Sequence, residues 1–411
     1  MKILHVNCSD AGSTGKIVLS IVDEACRRGF ETVSLFPKKT REYDQRISEY
    51  ATSPRFEQGI NRRICYLYGL HYGMAPIGTA RILNIIKKER PDVVHLHSVN
   101  CFTVNIYKLL GYLKKKRIAT VVTNHAEFFY TGNCPHAYEC ERWTSGCGSC
   151  PNLFEASESK LFDRTHTAWK KMKEAFNGFE KIQVVSVSPW VYSRSCRSPI
   201  LKGVQQSVIL NGVNTGVFNP QYDNHLREDL GIPEDKKVVL HVTSNFSDLD
   251  TDRKGGAYLL ELAKRFEGEN VEFVVVGKGE IPQDCPQNLR FVGAVIDQKL
   301  LALYYSMADL CVVTSKRETF GMTVVEALCC GTPVVGFESG GSESIALSEY
   351  SEFVPFENVD TLEAIIRNKW LNIKNQEISL DLAEKAKNTY SDKVMGEKYC
   401  DLYSELFKEE R

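Results

Sequence analysis

The sequence predicts an α/β protein made of two consecutive doubly wound domains, each built on a parallel sheet. Three observations carry that prediction. Short β-branched runs alternate with helical stretches along the chain, the signature of βαβ units. The alternation halts at VILNGVNTGVFNP (208–220), a segment punctuated by Gly, Asn and Pro, and then restarts. The length, 411 residues, also suits two domains at roughly 100–200 residues each.

In the front half, strands are expected at KILHVN (2–7), ETVSLF (31–36), DVVHLH (92–97), ATVVTNH (119–125), QVVSVS (183–188) and SVILNG (207–212). Helical periodicity fills the gaps, as in KIVLSIVDEACRRG (16–29) and the Lys-rich stretch ending near Arg117. DVVHLH is apolar enough for a sheet covered on both faces. After the linker come VVLHVT (238–243), VEFVVVG (271–277), LRFVG (289–293), DLCVVTS (309–315) and TPVVGF (332–337). Val394, Tyr399, Leu402, Tyr403 and Leu406 recur at helical spacing within 391–410, which reads as a closing helix. The expected domains are 1–212, with 391–411 packing back on it, and 213–390. Two such domains place a cleft between them, with ligands at the carboxyl ends of the strands.

Composition narrows the function classes. A quarter of the residues are charged and 43% are hydrophobic, with no low-complexity tract, which argues against disordered, collagenous and coiled-coil chains. No run reaches the ~18 apolar residues of a membrane span. The start, MKILHVNCSD, turns polar after six residues and does not read as a secretory signal. A cytoplasmic chain is expected, with its 14 cysteines mostly reduced. The balance of 51 Lys and Arg against 52 Asp and Glu hides an asymmetry: residues 1–205 hold 30 basic and 18 acidic side chains, residues 206–411 hold 21 and 34. A basic front half suits an anionic surface such as a membrane. The plain alternative is uneven distribution. Nucleic acid is disfavoured, since no basic stripe with regularly spaced aromatics appears.

The sharpest motif is KRETFGMTVVEALCCGTPVV (316–335). An expected strand feeds a loop holding Glu318, and a helix opens near Gly321, with Glu326 on its first turns. Free N–H groups and the positive dipole end of a helix start suit a diphosphate. Gly321 allows close approach, and the two carboxylates suit sugar hydroxyls. Near the N-terminus, Gly12 and Gly15 of DAGSTGKIV make a tight turn after the first strand. The spacing is not that of a P-loop, and no GxGxxG follows a strand, which weakens a nicotinamide dehydrogenase.

His95, His97 and His125 end strands and raise a metal reading, which the scarcity of nearby carboxylates weakens. Cys134, Cys140, Cys147 and Cys150, spaced C-x5-C-x6-C-x2-C, are candidate ligands of a structural zinc. Packed reduced thiols or a disulfide are the alternatives. RFEQGINRRICYLYGLHYGMAP (55–76) mixes aromatics with Arg62 and Arg63, and LKKKR (113–117) adds positive charge. Together they suggest a domain resting on an anionic inner-membrane surface, against the plainer reading of a buried helix.

The E-x7-E string with FGMTVVEAL, followed by GTPVV and SGGSES, resembles the retaining nucleotide-sugar glycosyltransferases of family 4, which have the GT-B fold. GSTGKI, PDVVHLH, TNHAEFFYTGNC, SVSPW, ILNGVNTGVFNP, RKGG and VVVGKGE fall in the expected order, so the resemblance spans nearly the whole chain. It is nearest to the bacterial subgroup that builds capsular, exopolysaccharide or O-antigen repeat units. The resemblance implies two Rossmann-like domains facing across a cleft, a nucleotide-diphosphate sugar donor, a lipid-linked (undecaprenyl) glycan acceptor and no essential catalytic metal. It places Glu318 near hydroxyls of the transferred sugar and Glu326 at the ribose. Phe320, Gly321, Met322 and Thr323 would offer backbone amides to diphosphate or sugar, and Gly277 of VGKGE would lie on the nucleotide side. Arg253 and Lys254 match the basic pair that stabilises the departing diphosphate, Gly12 and Gly15 face the cleft, and His125 meets the donor sugar.

Two departures stand out: TSN (243–245) replaces a Gly-Arg common in relatives, and Ala126 replaces a common Asp. The alternatives to a transferase are a nucleotide-sugar epimerase or hydrolase of the same architecture, or a non-catalytic sugar-nucleotide-binding subunit.

Overall fold

All eleven expected strands form, and a twelfth joins them. The computed structural model describes all residues except 38–43, 51, 222–224, 250–251, 280–283 and 409–411. The chain divides into two compact units, Met1–Leu210 with Met395–Arg411, and Asn211–Val394.

The first unit holds β1 (Lys2–Val6), β2 (Glu31–Leu35), β3 (Val93–Leu96), β4 (Ala119–Asn124), β5 (Ile182–Ser186) and β6 (Gln205–Val208). They pair in the order β2-β1-β3-β4-β5-β6, every pair parallel. Its helices are α1 (Gly12–Arg27), α2 (Arg55–Tyr68), α3 (Pro76–Glu89), α4 (Ile106–Lys115), α5 (Phe128–Thr131), α6 (Leu153–Ser157), α7 (Thr165–Phe176) and α8 (Pro189–Cys196). Ile3, Leu4, Val93, Val94, Val121, Val122, Val184 and Val185 are fully buried, as strands covered on both faces require.

The second unit holds α9 (His225–Asp229), β7 (Lys237–Asn245), α10 (Gly256–Arg265), β8 (Val271–Lys278), β9 (Leu289–Gly293), α11 (Gln298–Met307), β10 (Leu310–Val313), α12 (Met322–Cys329), β11 (Val334–Phe337), α13 (Gly341–Ile345), β12 (Ser351–Val354), α14 (Val359–Asn368) and α15 (Gln376–Tyr390). Its parallel sheet runs β12-β11-β10-β7-β8-β9, so the strand order reverses between β7 and β10. One apolar cluster covers a face of it: Leu259 and Leu262 of α10 and Phe266 just after it pack with Phe273, Val312, Phe337, Ile366 and Trp370. Each such side chain contributes roughly 1.5–3 kcal/mol on burial.

Two differences from the expectation have physical reasons. β12 is a short edge strand beginning with Ser351 and Glu352, too brief and polar to stand out as a β-branched run. β6 ends at Val208 rather than at Gly212, because the chain leaves the sheet to pair with 390–392. Val213 donates to the Tyr390 carbonyl at 2.8 Å and Asp392 to that of Val213 at 2.8 Å. A side chain at Gly212 would fall 2.6 Å from the Asp392 Cα.

The last helix, α16 (Asp392–Lys408), carries its buried Tyr399, Cys400 and Tyr403 into the first unit. Gly396 brings it against α1, where a Cβ would meet that of Glu24 at 2.6 Å.

Candidate active site

In an open parallel sheet, helices on either side of the strand-order reversal leave in opposite directions and open a crevice at the carboxyl ends. In the second unit that crevice lies at the ends of β7 and β10, and the residues of the sharpest motif gather there. After β7, Asp252 turns the chain: its carboxylate accepts the backbone N–H groups of Lys254 at 3.1 Å and Gly256 at 3.4 Å. Gly255 is left-handed at φ 71°, and a side chain there would fall 2.1 Å from the Thr314 carbonyl oxygen. Thr314, after β10, donates to the carbonyls of Lys254 and Gly255, and Lys316 N–H bonds the Arg253 carbonyl at 2.9 Å. The two loops are laced together, and Lys254 Nζ meets Glu318 Oε1 at 2.6 Å. Glu318 is 19% exposed and Lys254 35%, so the pair stands at the surface of the crevice. Arg253 is exposed beside it.

A second strap sets the start of α12. Glu318 N–H donates to the Ser339 carbonyl and Gly341 N–H to that of Glu318, while the Glu343 carboxylate accepts from Ser339 and Gly340 N–H. Gly321 caps α12 at φ 94°, with its Cβ position 2.6 Å from Ser342 Oγ. Among the described residues, the hydroxyls of Ser339 and Ser342 are buried beside this strap without a hydrogen-bond partner. Met322 and Thr323 form the first turn, where N–H groups have no intrahelical partner. Phe320 is buried. Glu326 accepts a hydrogen bond from the buried Tyr305 hydroxyl of α11 at 2.9 Å. Burial next to that carboxylate raises the Tyr305 phenol well above its usual range, which keeps it a donor.

Gly277 is brought in differently. Its Cβ position is 2.5 Å from the Thr243 carbonyl oxygen, so the glycine lets β8 lie against the end of β7. Lys278 pairs in register with Asn245 at the same strand ends, near the TSN that departs from Gly-Arg. Glu280 lies outside the described residues.

In the first unit, α1 begins at Gly12, directly after the β1 turn, and Gly12 has nothing within 4 Å of its Cβ position. Gly15 packs the helix on the turn, its Cβ position 2.4 Å from the Asp10 carbonyl carbon. Cys8 and Ser98 tie that turn to the end of β3. His125 follows β4 and joins a buried imidazole chain: His5 Nδ1 to His97 Nε2 at 3.2 Å, and His97 Nδ1 to His125 Nε2 at 3.2 Å. His95 bonds the Tyr403 hydroxyl at 2.6 Å and the Thr123 hydroxyl at 2.7 Å, and Thr123 reaches Tyr399 at 3.0 Å. His5, His95 and His97 lie close enough to frame a cation. Both nitrogens of His95 and of His97 already have protein partners, so an ion would have to displace one hydrogen bond at each of these two rings. Desolvation holds His5 down to about 3 and His125 down to about 4, and lowers His95 and His97 as well. The rings are neutral near pH 7 and form a hydrogen-bonded core.

Comparison with known proteins agrees with this arrangement. Residues 14–217 match the family described as Glycosyltransferase Family 4, and residues 223–389 match Glycosyl transferases group 1. The chain is a glycosyltransferase of family 4. This transferase is similar to the putative colanic acid biosynthesis glycosyl transferase WcaC of Escherichia coli K12, 22% identical over 78% of each chain. It is also similar to an uncharacterized glycosyltransferase of Methanocaldococcus jannaschii, 30% identical over 43% of this chain and 47% of that one. Among solved structures, sucrose-phosphate synthase of Thermosynechococcus elongatus superposes with a TM-score of 0.68 over 100% of both chains at 18% identity. Anabaena HepE in complex with UDP-glucose gives 0.64, over 98% of this chain and 100% of that one, at 16% identity. These likenesses establish the GT-B fold.

The zinc expectation is not supported. Among the described residues, no three of the Cys134, Cys140, Cys147 and Cys150 sulfurs come within 4.8 Å of one another, and none forms a disulfide. The loop is held by direct bonds: Arg142 donates to the Gly148 and Ser149 carbonyls, Asp163 accepts from Cys150 N–H, and Trp169 Nε1 donates to the Trp143 carbonyl. Burial pushes the Cys147 thiol up to about 12 and raises Cys134 and Cys150 as well. Glu127, two positions after His125, is fully buried and accepts from Arg194 at 2.8 Å and Tyr130 at 2.6 Å. It is structural.

Sequence reasoning missed Asp252, Thr314 and Tyr305. An Asp two residues before Lys254 is an Asx-turn signal that was legible. Tyr305 carried no such signal.

Proposed function

We propose that this transferase moves a sugar from a nucleoside-diphosphate sugar to a lipid-carried glycan acceptor, with retention, in the assembly of a bacterial surface polysaccharide. The observation that carries the reading is the Lys254–Glu318 pair at the strand-order reversal, beside the start of α12. A diphosphate entering there would draw Lys254 from Glu318 and meet the first N–H groups of the helix. The freed Glu318 carboxylate is then an acceptor for sugar hydroxyls, and Glu326, held by Tyr305, is one for the ribose.

In the reaction the sugar C1–O bond to the diphosphate breaks, and an acceptor oxygen bonds C1 on the same face. The departing phosphate oxygen takes the acceptor proton. Negative charge grows on the diphosphate, and Arg253, Lys254 and the helix start meet it without reorganisation. The acceptor belongs to the first unit in this reading, with Gly12, Gly15 and His125 at that unit's strand ends as its candidate sugar contacts, and the protein is peripheral at the inner membrane face. The relation to the colanic acid protein and the UDP-glucose complex of HepE support a polysaccharide role and a nucleotide-sugar donor.

Turnover of UDP-, GDP-, ADP- and TDP-sugars with lipid-linked acceptors tests it. One nucleotide family should support transfer, and Lys254→Ala and Glu318→Ala should each abolish most of it. Near-wild-type rates in both variants would remove the site assignment. Donor consumption without any acceptor would replace transfer by hydrolysis or epimerisation.

A further inference from the structure

Helix α2 is amphipathic the wrong way round for a soluble surface. Glu57, Asn61 and Cys65, at i, i+4 and i+8, face inward and are buried. Glu57 accepts the backbone N–H groups of Ile77 at 2.7 Å and Gly78 at 2.8 Å, Asn61 donates to the Phe102 carbonyl, and Cys65 to that of Ser157. Phe56, Ile60, Ile64 and Leu67 form the neighbouring stripe, about 100° round the helix from the buried one, and stand 46–63% exposed. The apolar stripe therefore faces water, while the polar stripe is consumed in fixing the helix to the unit.

A second segment extends the patch. Lys160 N–H bonds the Tyr66 carbonyl at 3.0 Å, which places Phe154, Leu161 and Phe162, all more than half exposed, next to α2. Of the fourteen large apolar side chains that stand well exposed among the described residues, ten lie on α2, at Ile77 or in 154–162. That concentration is far from the single scattered exposures normal for a soluble protein.

The charge around the patch selects its occupant. The only acidic residue of α2 is the inward Glu57, while Arg62 and Arg63 are exposed. Residues 154–162 add Glu155 and Glu158, and Glu158 pairs with Arg62 at 3.2 Å, so Arg63, Lys160 and Arg164 carry the net positive charge of the rim. Lys160 lies over the rings of Tyr66 and Phe154 at 5.1 and 5.6 Å, and the Arg164 guanidinium over Tyr68 at 4.1 Å. Outward apolar residues rimmed by Tyr, Lys and Arg, on a domain with a basic excess, are the makeup of a helix lying in an anionic lipid interface. In the other basic run Lys114 donates to the carbonyls of Glu174 and Asn177 and Arg117 pairs with Glu180, while Lys115 and Lys116 are exposed.

We propose that α2 and residues 154–162 form the surface by which this transferase docks on an anionic phospholipid bilayer. The proposal deepens the reading of a lipid-carried acceptor and rests on it for its purpose, while the docking itself can be measured without substrate.

The experiment is vesicle flotation of the full chain, on phosphatidylglycerol-containing and on pure phosphatidylcholine vesicles, at low and at high salt. Wild type should float with the anionic vesicles, at least tenfold less with the neutral ones, and less in high salt. Ile60→Asp with Ile64→Asp should lose binding at unchanged Tm, because both positions are exposed. Arg62→Gln with Arg63→Gln should weaken it about fivefold per charge. Both variants should keep wild-type turnover on a water-soluble acceptor analogue. Absence of flotation on anionic vesicles would overturn the proposal. So would a wild-type dimer that Ile64→Asp converts to monomer without any vesicle binding, which would assign the patch to a second copy. Flotation without turnover of any nucleotide sugar would leave the docking surface standing and remove the functional reading.

Discussion

Lys254 and Glu318 lie 64 positions apart and meet at 2.6 Å, and each leaves the other's charge balanced while no diphosphate is bound. Replacing Lys254 with Ala should lower kcat by about 10²–10³, the usual cost of removing one fixed group that meets charge in the transition state. Lys254→Arg, which keeps the cation, should recover part of it; steady-state kinetics with the matching donor measures both. The buried histidines make a different prediction. His5 is depressed to about 3, and His71 and His125 to about 4, by burial, whereas an unfolded histidine titrates near 6.5. The unfolded chain therefore binds more protons below pH 6.5. Stability is full above that pH and falls as pH drops from 6.5 towards 4, by about 1.4 kcal/mol per pH unit for each such ring. Denaturant melts at pH 7.5, 6 and 5 should show it, and His5→Phe should flatten the slope.

At the scale of the element, the start of α12 depends on a backbone conformation that only glycine adopts readily. Gly321→Ala would strain the left-handed cap and drive a methyl to 2.6 Å from Ser342 Oγ. The expected cost is about 1–3 kcal/mol of stability, with a larger proportional loss of donor binding, read by thermal melts and nucleotide titration. Helix α16 is tied to the first sheet by its hydroxyls as well as its packing. Tyr403→Phe removes the bond to His95 and should cost about 1–3 kcal/mol, because a buried imidazole nitrogen loses its partner. Deleting 395–411 should unfold the first unit, since it strips the cover from Thr123 and His95; loss of the near-ultraviolet circular dichroism would report it.

For the whole molecule, two parallel sheets of orders 2-1-3-4-5-6 and 3-2-1-4-5-6, counted within each unit, create one strand-order reversal apiece. The reversal in the second unit collects Lys254, Glu318, Gly321 and Glu326. If cations and a helix start carry the diphosphate, its binding should not need a divalent metal. A thermal-shift screen against nucleoside diphosphates should give the same stabilisation with magnesium and with chelator, for one base family. A shift that vanishes with chelator would put a metal into the donor site.

Local pattern alone determined much of this. β-branched runs separated by helical periods dictate βαβ units, because backbone groups in such runs pair most simply in a covered parallel sheet. The spacing of Glu318, Gly321 and Glu326 followed directly, since all lie within one loop and helix. What tertiary structure decided was everything that depends on distant chain segments. It joined Asp252, Thr314 and Tyr305 to the site, turned Glu127 into a buried partner of Arg194, and brought no three of the four cysteine sulfurs within 4.8 Å of one another. It also turned the apolar side of α2 outward. Periodicity reports that a helix has two unlike faces; only the surrounding fold, here the backbone N–H groups of Ile77 and Gly78 that claim Glu57, decides which face meets the protein.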